Sequence, residues 1–189
     1  MIEKISHYFS KQLAANTEEE EILQYGFECL INTFIPVIFF LVFAIVQNMI
    51  TETMIWLILF LLLRNYIGGY HASSHVRCIV ISTIYGLTAL FCIYYFKSIP
   101  LIAEICICLL IIILHIILGP IITDNDLINN YKNYKIIALI IIIVESILII
   151  ILNCNNIDIH SCLFISIVSV EILHYAEMFK NCINHDIAS

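Results

Sequence analysis

Between Arg64 and Cys78 the chain reads RNYIGGYHASSHVRC, which places His71, Ser73, Ser74, His75, Arg77 and Cys78 within eight residues. A cysteine becomes a nucleophile when a nearby base forms and holds its thiolate, and histidine is suited to that role. Arg77 adds a cation beside Cys78, an environment that favours thiolate over thiol. In one unbroken helix His71 and Cys78 would share a face yet stand about 10.5 Å apart along the axis, at 1.5 Å per residue. His75, three residues before Cys78, would be closer. His71 reaches the thiol only if the chain bends, which Gly68-Gly69 and Ser73-Ser74 allow. Spacing alone leaves the base open between the two. A hydroxyl of Ser73 or Ser74, or the Cys78 backbone amide, could donate to an oxyanion.

Zinc chemistry competes with this reading. His71, His75 and Cys78 at i, i+4 and i+7 could project from one helical face and, with water, make a three-ligand catalytic site. The segment has neither the glutamate base of an HExxH site nor a carboxylate to steady the ligands. Neither metal nor other cofactor is therefore expected. The bland alternative is a loop of ordinary interfacial residues between two apolar helices.

The surroundings of this segment are those of a membrane protein. Hydrophobic residues make up 62% of the 189-residue chain and charged residues 12%, far from the balance of a water-soluble domain. Apolar stretches at 29–47, 53–67, 78–96, 100–118, 136–152 and 158–177 each approach the length of about 20 residues that a helix needs to cross a bilayer. The expected fold is all-α and polytopic, with about six transmembrane helices. An N-terminal segment, 1–28, precedes the membrane domain, 29–179, and a tail, 180–189, follows it. Ile2, Ile5, Phe9 and Leu13 recur at helical spacing and suit an amphipathic helix at the bilayer surface, though a solvated helix fits equally. Thr17 and Glu20 have capping-box spacing, marking a second helix start that leads into the membrane. Pro36 predicts a kink in the first span, Pro100 suits a helix start, and Gly119-Pro120 a helix end. The polar, acidic start lacks the pattern of a secretory signal, so the mature chain is expected to begin near Met1.

Six spans put Lys4, Lys11, Arg64, Arg77, Lys132, Lys135 and Lys180 on one side and Lys97 alone on the other. The positive-inside rule then makes both termini and the 64–78 segment cytosolic. A net charge of −7, with acids clustered at Glu18 to Glu21, resembles no nucleic-acid surface. Most of the eight cysteines lie in apolar runs (Cys29, Cys92, Cys106, Cys108, Cys162), where they act as small packing residues.

GGYHASSHVRC followed by an apolar span resembles the accessory gene regulator B (AgrB) family of bacterial membrane cysteine peptidases. The family signature pairs a His and a Cys seven apart, matched here by His71 and Cys78, with Arg64 and Gly68-Gly69 also in the pattern. Length and span arrangement extend the likeness over the chain. Gly119 to Leu127 departs from it: where relatives carry a basic cluster, this chain reads ITDNDLINNYKNYK, which moves that role to Lys132 and Lys135. The resemblance implies Cys78 as nucleophile and His71 as base on an AgrD-type precursor peptide. Its acidic C-terminal tail would be removed through a thioester, and the rest would cyclise into a quorum-sensing signal. It also implies a homodimer in the cell membrane. Arg64, Arg77, Lys132 and Lys135, with the glycine pair, become candidates for holding the substrate; the alternative is that the cations only set topology.

Glu104, Glu145 and Glu171 fall inside apolar spans, where ionisable groups are costly. Each is expected either to pair with a histidine such as His115 or His174 or to be protonated within the bundle, without a catalytic role. A non-enzymatic peptide exporter is the remaining class, though its usual signs, paired broken helices and a charged path, are lacking in the sequence.

Overall fold

The computed structural model describes residues 2–14, 16–69, 74–95, 99–121 and 131–188. Seven α-helices and no strand occur among them: α1 (Ile2–Leu13), α2 (Thr17–Gln47), α3 (Ile50–Ile67), α4 (His75–Tyr95), α5 (Leu101–Leu118), α6 (Tyr131–Cys154) and α7 (His160–Ala188). The last six are long and apolar enough to cross a bilayer, so the chain is a multi-pass, all-α membrane protein. The packing is that of a membrane bundle. On α5, Ile102, Leu109, Leu110, Ile113 and Ile117 are exposed, while Glu104, Cys108 and His115 are buried. Lipid solvates the apolar side and the few polar groups turn inward. All eight cysteines are free.

Two helices outrun their apolar stretches. α2 begins twelve residues before the first apolar stretch, because Glu18, Glu19 and Glu20 form helix well and favour the positive end of its dipole. Its cap corrects the sequence reading by one residue. Asn16, not Thr17, is the N-cap, and its side chain accepts from the Glu19 amide at 2.8 Å. Asn16→Ala is expected to cost about 1 kcal/mol and to fray the first turn of α2, visible as faster amide exchange at Glu19; unchanged exchange there would discount the cap. α2 continues through Pro36. α7 likewise remains helical from 180 to 188, the region expected as a tail.

Contacts divide the chain into two units: Met1–Asn48 with Ala72–Thr88, and Met49–His71 with Ala89–Ser189. In the first, α1 folds back on α2 through Ser6 and Ser10, both fully buried. Ser6 Oγ donates to Glu28 Oε1 at 3.2 Å, and the Phe9 and Phe27 rings meet at 5.8 Å. The apolar stripe of α1 (Ile5, Phe9, Leu13) is exposed, as an interfacial helix requires. Further along, the Phe40 ring lies where a Cβ on Gly86 would stand, so α2 and α4 approach closely there. In the second unit α7 packs against α3 and α6, and α5 against α6. Trp56, Leu63, Ile67, Leu90, Ile142, Ile149 and Ile167 form its core.

Candidate active site

The segment singled out above starts where α3 ends. The Gly68 amide closes the helix on the Arg64 carbonyl at 3.0 Å, and Gly68 then adopts φ 79° and ψ −164°. That region is closed to residues with a side chain. The Ile121 amide donates to the Ile67 carbonyl at 3.0 Å, and the Ile121 carbonyl oxygen occupies the place a Gly68 Cβ would take. Gly69 passes close over α7, where its Cβ would meet that of Leu173 at 3.4 Å. The glycine pair thus gives the chain a narrow passage between the end of α5 and α7. His71 and Ser73 lie outside the described residues.

The chain is described again at Ser74, which caps α4: its Oγ accepts from the Arg77 amide at 3.4 Å and its carbonyl from the Cys78 amide at 2.9 Å. Cys78 is therefore at the end of the first turn, half-buried, where peptide dipoles favour negative charge. Its own amide is committed to the helix, which removes it as an oxyanion donor. The Ser74 hydroxyl is exposed and retains its proton for that use.

His75 is held at both nitrogens. Asn32 Nδ2 lies 2.9 Å from Nδ1, and Glu28 Oε2 lies 3.2 Å from Nε2. The arrangement places the ring proton on Nε2, facing the carboxylate, with Nδ1 accepting from the amide. Neither nitrogen is left for the Cys78 thiol or for a metal ion. Glu28 also accepts from Ser6 and from Gln24, both at 3.2 Å, so one carboxylate joins α1, α2 and α4. Glu28→Ala is expected to cost about 2 kcal/mol by stranding these donors and to speed amide exchange in both α1 and the first turn of α4. Exchange unchanged in either helix would show that the carboxylate does not join them.

The cations fall into different settings. In the first unit, Arg77 is exposed on the first turn of α4. In the second, the Arg64 guanidinium stands 5.8 Å over the Phe60 ring, and Lys132 is exposed at the start of α6. Lys135 Nζ donates to the Ile116 carbonyl at 2.6 Å, capping the C-terminus of α5 as a cation should. The Tyr66 and Tyr134 rings, 5.7 Å apart, bring the end of α3 beside the start of α6. Arg64, Lys132 and Lys135 therefore share one end of that unit.

Sequence reading missed Glu28 and Asn32. They are four residues apart, so they share a face of an apolar helix, and such a polar pair was the available signal. Their partner is 43 residues from Asn32, a pairing that periodicity does not reveal.

Together these features define a polytopic membrane protein with a cysteine on the opening turn of a spanning helix. Residues 2–176 match the profile of the family described as accessory gene regulator B. The chain belongs to that family, whose known function is peptidase processing. An AgrB-like protein 2 of Clostridium perfringens strain 13 is 34% identical over 91 residues, covering 46% of this chain and 42% of the relative. An AgrB-like protein of strain SM101 is 32% identical over the same shares. The similarity thus spans less than half the length of either relative. No solved structure matches.

Proposed function

We propose that the chain is a membrane cysteine endopeptidase that removes the acidic C-terminal tail of an AgrD-type precursor and promotes cyclisation of the remainder. Cys78 supplies the nucleophile and His71 the base. The observation that carries this reading is the position of Cys78 at the opening of α4, beside a His75 whose nitrogens are both engaged. With His75 so engaged, the base is assigned to His71, as the family signature implies, and the zinc reading loses one of its three ligands.

In the reaction His71 takes the thiol proton as sulfur attacks the carbonyl before the tail. The C–N bond breaks, the tail amine leaves with that proton, and a thioester on Cys78 remains. A thiol or hydroxyl within the precursor attacks the thioester, closing the ring and returning the proton to Cys78. Hydrolysis would be downhill, so water must be kept from the acyl-enzyme. The oxyanion is assigned to the Ser74 hydroxyl. Arg64, Arg77, Lys132 and Lys135 attract the acidic tail, and Gly68-Gly69 admit its backbone. Positive-inside topology puts both termini and this chemistry on the cytosolic side of the cell membrane. The working unit is a homodimer.

The test is to incubate bilayer-reconstituted protein with a candidate precursor and to measure its intact mass after acid quench. A hydroxylamine-labile adduct on Cys78 equal to the precursor without its tail is expected. Tail release with no such adduct, even under rapid quench, would overturn the thioester route.

A further inference from the structure

α5 and α7 each carry a buried acid and a buried histidine, in opposite order. Glu104 precedes His115 by eleven residues on α5, and His160 precedes Glu171 by eleven on α7. Eleven residues make three turns, so each pair lies on one face, about 16.5 Å apart along the axis. The pairs meet at both levels. At the first, His160 Nδ1 is 2.8 Å from Glu104 Oε1, and Asn153 Nδ2 donates to Oε2 at 2.7 Å. At the other, Glu171 lies between two imidazoles, Oε1 at 3.6 Å from His115 Nδ1 and Oε2 at 3.5 Å from His174 Nδ1.

A third level lies between them. Ser166 Oγ donates to Glu145 Oε2 at 3.2 Å, while Glu145 Oε1 is buried without a hydrogen-bond partner among the described residues. The oxygens of Glu171 and the ring nitrogens of His115 and His174 are likewise buried and without such partners. By sequence on α7, Ser166 is about 9 Å from the His160 level and 7.5 Å from Glu171. In hydrogen-bonded steps of about 2.8 Å, each interval would take two bridging waters to cross. Beyond Glu171, His174 is followed one turn later by Glu177, which holds Lys180 at 3.0 Å. The titratable groups thus run along the bundle from Glu104 to Glu177.

A bare carboxylate inside lipid is costly, so each buried acid needs a polar or titratable partner within the bundle. We propose that α5, α6 and α7 form a proton path across the membrane, separate from the Cys78 chemistry. Its pivot is the His115–Glu171–His174 centre. There the His115 Nδ1–H bond breaks as a proton passes to Glu171 Oε1, and the Oε2 proton passes to His174 Nδ1. The carboxyl keeps its proton count, and the charge moves from α5 to α7.

The full chain reconstituted in phospholipid vesicles, with a pH-sensitive dye inside and a potassium diffusion potential set by valinomycin, tests the path. Wild type and Cys78→Ala are expected to pass protons at least about tenfold faster than protein-free vesicles, and Glu145→Gln and Glu171→Gln to fall to that baseline. Wild-type flux at the protein-free level would overturn the proposal whatever the variants do. So would undiminished flux in both glutamine variants, or a flux carried equally by sodium, which marks a leak between helices.

Discussion

Cys78→Ala is expected to reduce release of the precursor's tail by about 10³-fold or more, the scale of loss when a covalent mechanism loses its nucleophile. His71→Ala should cost a similar factor, and the double variant little beyond either one, because nucleophile and base act as a unit. His75→Ala should differ in kind. Its ring holds the first turn of α4 to Glu28 and Asn32, so its loss misplaces the thiol without removing a reacting group, at a cost of about 10- to 100-fold by analogy with groups that orient a reactive neighbour. Mass spectrometry of released tail from cells co-expressing the precursor ranks the three. Release that survives Cys78→Ala would return the exporter reading to the front. Equal losses at His71 and His75, with stoichiometric metal, would return the zinc site.

Gly68→Ala is the second large effect. The residue is in a backbone region that costs about 1–3 kcal/mol for any side chain. The new Cβ would also displace the Ile121 carbonyl and strain the amide bond from Ile121 to Ile67, worth about 1 kcal/mol. A total near 3 kcal/mol is a large share of the roughly 5–15 kcal/mol that holds a domain together. His71 lies three residues on, so tail release should fall in the fraction that remains folded. Gly69→Ala also strains its backbone, at φ 159°, but should be milder, since its Cβ meets nothing nearer than Leu173 Cβ at 3.4 Å. Thermal unfolding in bicelles compares them; a Gly68→Ala variant as stable as wild type would show that the turn at 119–121 yields freely.

The spans were legible because a bilayer leaves a helix few alternatives, and the Ile- and Leu-rich runs are too long for anything else. Their ends were less so. The capping-box spacing of Thr17 and Glu20 marked the start of α2, whose N-cap is Asn16, but nothing marked the end of α7, which is helical through 188. The candidate segment stood out by its residue types, since Cys, His and a glycine pair have few common reasons to adjoin. The engagement of His75 was not legible, because it rests on Glu28 and Asn32, distant in sequence from it. Glu104 to His115 and His160 to Glu171 share one interval, a signal present in the sequence that composition and motif reading passed over. Glu171 with His115 and His174 matched the expected pairing of intramembrane acids with histidines; Glu104 found His160 instead, and Glu145 found Ser166.

Glu28 gives one oxygen to Ser6 of the exposed-faced α1 and the other to His75 of the cysteine's helix. The seat of α1 and the first turn of the helix that carries Cys78 therefore share a hinge pin. Detergent that lifts α1 from its seat loosens that pin while the spanning helices remain intact, so a micelle can preserve the protein's helical signal and still blunt its chemistry. Purification judged by helicity alone would pass such material as sound.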